Sequence, residues 1–213
     1  GQLIIGARNS ILIGVCVTII TEFTGIAIGV VISYYGGIVE NIAMRIIDFI
    51  SILPTTLLII VFATIVPKYN VFTFIMMMSV FYWIGTARLI RGKVLSEVRR
   101  DYISASKTMG TSDLVIIFRE LLPNISSIII VDLTLSFAGN IGIETGLTFL
   151  GYGLPPSTPS LGILVSYATA PEVLADKWWV WLPASLLILV LMLCINYVGE
   201  ALKRASDARQ RLG

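Results

Sequence analysis

Five blocks of apolar residues, approximately Ser10–Tyr34, Ile42–Val66, Val71–Ile90, Ile125–Phe149 and Trp178–Tyr197, alternate with polar stretches along the chain. Each block reaches the roughly 20 residues that a helix needs to cross a hydrocarbon core of about 30 Å. A membrane β-barrel requires apolar and polar residues in alternation, and these blocks do not alternate. The pattern predicts an all-α fold, a polytopic transmembrane helical bundle of about five spans. Pro54 interrupts the second block and predicts a kink there. Pro183 falls in the first two turns of the last block, where it disturbs less. Gly25 with Gly29, and Gly142 with Gly146, have the GxxxG spacing that lets helix backbones approach closely.

The basic residues orient the bundle. Arg88, Arg91, Lys93, Arg99, Arg100, Lys107 and Arg119 stand in or beside the long polar stretch between the third and fourth blocks, Arg45 lies on the same side, and the tail adds Lys203, Arg204, Arg209 and Arg211. Only Arg8, Lys68 and Lys177 fall opposite, twelve against three. By the positive-inside rule the long stretch and the tail face the cytoplasm and the N-terminus lies outside. Trp178, Trp179 and Trp181 fit an aromatic belt where the last span opens at the outer surface.

Composition narrows the chemistry. Hydrophobic residues make up 56% of the 213-residue chain and charged residues 13%, where a soluble domain carries about a quarter charged. The net charge of +2 is too small to suggest a nucleic-acid partner. There is no histidine, and Cys16 and Cys194 sit apart in apolar runs. That excludes a Cys/His metal cluster and a Cys–His catalytic pair, and leaves both cysteines as small packing residues. No charged n-region, apolar h-region and cleavage site stand at the front as a signal peptide. Gly92-Lys93 is followed by Val94, and the upstream position is Ala87, so no phosphate-binding P-loop is present.

The most informative segment is the polar loop Gly92–Pro123. Val94, Leu95, Val98, Tyr102, Ala105 and Met109 recur at helical spacing, with Glu97, Arg99, Arg100 and Lys107 between them. Gly110 can close this helix in the left-handed conformation. Thr111 or Ser112 can cap a second short helix, with Asp113 in its first turn. That helix is expected to reach Leu121 or Leu122 and to be ended by Pro123. A rigid helix–glycine–helix element suits docking to a partner; the alternative is an amphipathic segment on the lipid surface.

Asp101-Tyr-Ile-Ser-Ala-Ser-Lys-Thr-Met-Gly110, followed by Leu122-Pro123-Asn124, resembles the cytoplasmic "EAA" loop of ABC importer permeases. Ala105, Gly110, Leu122 and Pro123 match in register, while Ser104, Ser106 and Glu120 stand where that motif has Glu, Ala and Ile. Tyr34-Tyr-Gly-Gly37, Met44-Arg-Ile-Ile-Asp48, Ala87-Arg-Leu-Ile-Arg-Gly92 and Gly146-Leu-Thr-Phe-Leu-Gly151 resemble segments of the family's oligopeptide, dipeptide and nickel branch. The resemblance implies a type I importer transmembrane domain over residues 1–213, with a coupling helix in the loop at about 92–123 and an outer loop at about 151–177. It implies that Asp101, Tyr102, Ser104, Ala105, Ser106, Lys107 and Gly110 couple the chain to an ATPase.

The partners it implies are a second permease subunit, two cytoplasmic ATPase subunits that bind ATP and Mg, and an external substrate-binding protein, all at a bacterial cytoplasmic membrane. This chain would be a transport subunit with no cofactor of its own. Complete members of the branch usually have one further N-terminal span, and on that resemblance this sequence starts where the second would begin.

Glu22, Asp48, Asp132 and Glu144 lie within the spans, where a charge costs about 2.5–3.5 kcal/mol on insertion scales and must face protein or water. Glu22, Asp132 and Glu144 are candidates for an acidic lining of the translocation path, or else for hydrogen bonding across helices or for protonated carboxyls. Asp48 is expected to pair with Arg45 one turn away. The outer loop has an apolar middle, Leu161 to Ala170, suited to an interfacial or re-entrant position. The expected function is ATP-driven import of oligopeptides, with dipeptides, nickel or metal chelates as alternative cargo. A proton-coupled secondary transporter is the competing class, but it predicts inverted internal repeats, and none is found.

The orientation has a direct test. Single cysteines at Ser112 and Ser157, in a background lacking Cys16 and Cys194, are exposed to an impermeant thiol reagent in intact cells. Ser157 is expected to label and Ser112 to stay silent; the opposite pattern overturns the topology.

Overall fold

A computed structural model describes residues 1–66 and 70–212, with side chains through Ala205. Lys68 and the side chains of Arg209 and Arg211 lie outside the described residues. The chain folds into α1 (Gln2–Tyr35), α2 (Gly37–Ile52), α3 (Thr55–Ile65), α4 (Val71–Glu97), α5 (Asp101–Thr108) and α6 (Asp113–Ile116). A π turn (Ile117–Leu121) then leads into α7 (Leu122–Phe149), followed by α8 (Leu161–Ser166), α9 (Pro171–Asp176) and α10 (Trp178–Leu212). Four stretches, α1, α4, the continuous helical run from Asp113 to Phe149, and Trp178–Ala205 of α10, are long and apolar enough to cross a membrane. Counted as one broken span, α2 with α3 makes a fifth. These are the five apolar blocks. In lipid, helices are the economical solution because they satisfy every backbone polar group within the segment.

The break in the second span falls at Leu53–Pro54. Leu53 is extended (φ −76°, ψ 133°), as sterics with the following proline ring require, and α3 restarts beyond Pro54.

One compact unit comprises Ile20–Leu53, Tyr82–Leu133 and Glu200–Gly213. Its largest core gathers Val30 and Tyr34 of α1, Ile90 and Val94 of α4, Ile103 of α5, Ile116, and Ile117, Leu121 and Ile125 beyond it. A second cluster joins Ile32, Ile47 and Ala87. The GxxxG at Gly25 and Gly29 is a close-packing face. A Cβ on Gly25 would fall 2.7 Å from Thr86 Cβ, and one on Gly29 would fall 2.8 Å from the Ala87 carbonyl oxygen. The second glycine pair differs: Gly142 approaches the Met192 methyl, while Gly146 has open space around it.

The other unit comprises Gly1–Ile19, Pro54–Phe81 and Thr134–Gly199. Here the apolar stretch Leu161–Ser166, in the loop before the last span, forms α8 and is packed within protein. Leu161 and Leu164 are buried with Ala184 of α10 and lie against Leu3 and Ala7 of α1. Ser160 caps α8 by accepting a hydrogen bond from the Ile163 amide. Asn9 donates to the Pro159 carbonyl at 2.7 Å, and the Leu161 amide donates to Ser10 Oγ.

Two boundaries differ from expectation. The helix foreseen across Val94–Met109 is two helices, because α4 runs through Gly92 to Glu97 and the chain re-enters helix only at Asp101 after an extended Arg100. Pro123 does not end the helix before the fourth span. It occupies the second position of α7, and the π turn before it accommodates the missing donor, so the helix continues.

Gly25→Val or Gly29→Val should destabilise the protein by about 1–3 kcal/mol, because the added atoms meet backbone and Cβ atoms that cannot swing away. Gly85→Ala, with nothing near its Cβ, serves as the control. Thermal melting of purified protein in detergent checks this; equal melting temperatures for all three would show that the glycine face is not a packing constraint.

Candidate coupling element and buried carboxylates

The loop between the third and fourth spans is organised by Glu97 at the end of α4. Its side chain is almost fully buried, yet it pairs with Lys93 and Arg100, each at 3.1 Å, and accepts a hydrogen bond from Tyr102 Oη at 3.1 Å. A buried carboxylate with two cations and a phenol around it is compensated, and removing it would leave those partners stranded. Burial first, and then the bond to Glu97, hold the Tyr102 phenol above its ordinary range. Tyr102 therefore stays protonated and donating across neutral pH. This hub ends α4 and starts α5.

The glycine turn is a Schellman motif. Gly110 has φ +79°, its amide donates to the Lys107 carbonyl at 3.0 Å, and the Thr111 amide donates to the Ser106 carbonyl at 3.1 Å. Nothing lies within 4 Å of a Cβ added at Gly110, so glycine is required there by backbone conformation alone.

The residues singled out in the loop divide by position. Asp101, Ser104, Ala105, Lys107 and Gly110 are exposed, Tyr102 is half-buried, and Ser106 is buried beside Ile103. Asp101, Ser104, Ala105 and Thr108 form one open face at i, i+3, i+4 and i+7. Met109 beside it is 77% exposed. The apolar stripe expected to include Ala105 and Met109 is re-phased by the break at residues 98–100, which turns Ile103 and Ser106 inward instead.

Ser106 and Glu120, two of the departures from the motif, are each other's partners. The Ser106 hydroxyl lies 2.7 and 2.8 Å from the two Glu120 carboxylate oxygens. The π turn that carries Glu120 offsets it from straight α-helical phase. On the same unit, Tyr34 Oη donates to Asp113 Oδ1 at 2.7 Å, and Lys107 Nζ stands 4.6 Å from the Tyr34 ring centroid. Sequence reasoning missed the Tyr34–Asp113 bond because its partners stand far apart in the chain, and missed the Glu97 hub because its nearby partners converge only across the break between α4 and α5.

The acidic residues of the spans are resolved differently. Asp48 pairs with Arg88 at 2.7 Å, with Ser51 also accepting from Arg88, and not with Arg45 as expected. The partner comes from a neighbouring helix, which the one-turn rule does not consider. Arg91 likewise pairs with Glu40. Glu22 is 2% exposed and accepts from the Thr86 hydroxyl at 2.9 Å, and Asp132 lies close to Thr86 and Glu22. Glu144 is fully buried in the other unit. Thr148 donates to it at 3.0 Å, and the hydroxyls of Ser10, Thr145 and Ser160 are close around it. Glu22 and Glu144 thus face their own chain, and contact with a passing substrate would require those helices to part.

The long helices and the polar α5–α6 hairpin have the fold of a type I ABC importer transmembrane domain, as two comparisons show. The solved inward-facing MetNI methionine ABC transporter contains a chain of the same fold, with a TM-score of 0.75 at 20% identity over 96% of each chain. Residues 25–212 match the profile of the binding-protein-dependent transport system inner membrane component, and the chain belongs to that family. It is 52% identical over 209 residues to the oligopeptide transport system permease protein OppC of Lactococcus lactis subsp. cremoris, covering 98% of this chain and 71% of that protein. It is 36% identical to the OppC of Mycobacterium bovis, covering 99% and 72%. The protein is a multi-pass membrane transport component.

Proposed function

We propose that this chain is a permease subunit of an ATP-driven importer and forms half of the translocation path for oligopeptides delivered by an external binding protein. The observation that carries this reading is the α5 hairpin, a short helix closed by a Schellman turn with its Asp101–Ser104–Ala105–Thr108 face open, in a chain of this family. The substrate class is supported by the name of the Lactococcus relative, an oligopeptide permease.

On this reading α5 seats in a groove of a cytoplasmic ATPase. Two such ATPases bind ATP and Mg and hydrolyse the nucleotide, while a second permease completes the path. This chain performs no bond chemistry. Its part is mechanical: closure of the ATPases displaces α5, and the hairpin passes that displacement to the spans. Because nucleotide energy is spent elsewhere, the permease needs only a stiff connection between the docked face and the membrane. The Gly110 turn, the Glu97 hub and the apolar core around Ile103 supply that stiffness. Glu22, Asp132 and Glu144 belong to the wall behind the path, where their potential makes the route tolerable for a charged amine. They take no part in choosing the peptide, a choice left to the external protein.

Gly110→Val is expected to abolish ATP-driven peptide uptake in vesicles while the protein still inserts, because a β-branched residue is heavily penalised at positive φ. Gly110→Asn, which tolerates that conformation, should retain part of the activity. Nickel uptake is followed in parallel. Normal uptake by well-inserted Gly110→Val overturns the coupling assignment, and metal-chelate uptake without peptide uptake moves the cargo to the metal-importing relatives.

A further inference from the structure

The α5–α6 hairpin must be tied to the membrane spans if its movement is to reach them, and the core it rests on is apolar. Ile103, Ile116 and Ile117 pack against Val30 of α1 and Ile90 and Val94 of α4. Apolar contact is favourable but non-directional, so by itself it lets one surface slide or rotate over another. A short hydrogen bond to an ionised group is directional and fixes register.

One side chain reaches both limbs of the hairpin at once, by a short hydrogen bond to one and a cation–π contact with the other. Tyr34 sits in the last turn of α1, just before the left-handed Gly36 and Gly37. Its ring is buried in the hairpin core. Its hydroxyl donates to Asp113 Oδ1, at the first residue of α6, at 2.7 Å. Lys107, in the last turn of α5, places its ammonium 4.6 Å from the centre of the same ring, within the range of a cation–π interaction. Asp113 and Lys107 flank the Gly110 turn, so Tyr34 holds the two helices on either side of that turn to the end of one span.

We infer that Tyr34 is the positioning residue through which the hairpin drives α1, with Asp113 and Lys107 as its two grips. The inference rests on the coupling reading above and deepens it. Loss of the hydroxyl leaves the hairpin folded and docked, since its core, its Schellman turn and the Ser106–Glu120 bond are untouched. It lets the hairpin turn against α1, so nucleotide is hydrolysed with less movement delivered to the span. Uncoupling is the predicted defect, rather than loss of assembly.

The test uses the assembled transporter in vesicles, with ATP hydrolysed and peptide imported measured on the same preparation. Tyr34→Phe keeps the ring beneath Lys107 and removes the bond to Asp113. Asp113→Ala removes the same bond from the other side, and Asp113→Asn keeps an acceptor oxygen in place. Tyr34→Phe and Asp113→Ala should each raise the ATP consumed per peptide by about tenfold, the factor expected from one hydrogen bond to a carboxylate. Asp113→Asn should retain most of the wild-type ratio, and hydrolysis itself should continue in all three. If Tyr34→Phe and Asp113→Ala lower hydrolysis and uptake in equal proportion, or leave the ratio unchanged, the positioning role is overturned and Tyr34 is a packing residue. Failure of the coupling reading is a separate result: the unmodified transporter would then show no dependence of uptake on ATP.

Discussion

The left-handed turn at Gly110 is the constraint from which the polar loop takes its shape. A single residue at φ +79° folds α5 back onto α6, and the two Schellman bonds close the turn with the Lys107 and Ser106 carbonyls as acceptors. That geometry brings Ser106 to Glu120 and leaves Lys107 and Asp113 on either side of Tyr34. It also aims the open face of α5 away from the core that holds Ile103. A straight helix through this segment would separate every one of these pairs. Nothing crowds the Gly110 position, so its requirement is conformational and cannot be met by making space.

Much of this was legible in the sequence, and the reason is the solvent. A membrane demands about 20 apolar residues per span, so the five blocks and the broken second span could be counted directly. The glycine turn was visible because glycine between two amphipathic stretches has a specific stereochemical meaning. Contacts between segments were not visible. Asp48 was assigned to Arg45 because the one-turn rule considers a single helix, whereas Arg88 reaches it from α4. Ser106 and Glu120 looked like two unrelated departures from a motif; only the fold shows that they bind each other. The phase of α5 was misjudged because the break at residues 98–100 depends on the Glu97 hub, whose partners lie on both sides of the break.

The carboxylates within the spans follow one rule, applied in different ways. Near the polar loop, Asp48 and Glu40 meet arginines. Deeper in the spans, Glu22 and Glu144 meet hydroxyls, and no arginine or lysine stands among the partners described for them. Hydroxyl partners compensate one oxygen of each carboxyl group, Oε1, without adding a second charge to be desolvated, which matters most where water is excluded. The glycine face of α1 belongs to the same economy. Gly25 lets α1 and α4 approach closely, and Thr86, the residue it packs against, is the one that donates to Glu22.

The central claim is that the open face of α5 is seated on an ATPase, and cross-linking tests it most directly. A photoreactive residue placed at Met109, which is exposed beside that face, is irradiated in cells and the chain is purified with whatever it has captured. The account predicts a covalent adduct with a nucleotide-binding ATPase, and far less of it when the photoreactive residue is placed at Phe72, exposed near the opposite end of α4. Adducts from Met109 with lipid alone, while the transporter remains active, would contradict it and make the hairpin a membrane-surface element.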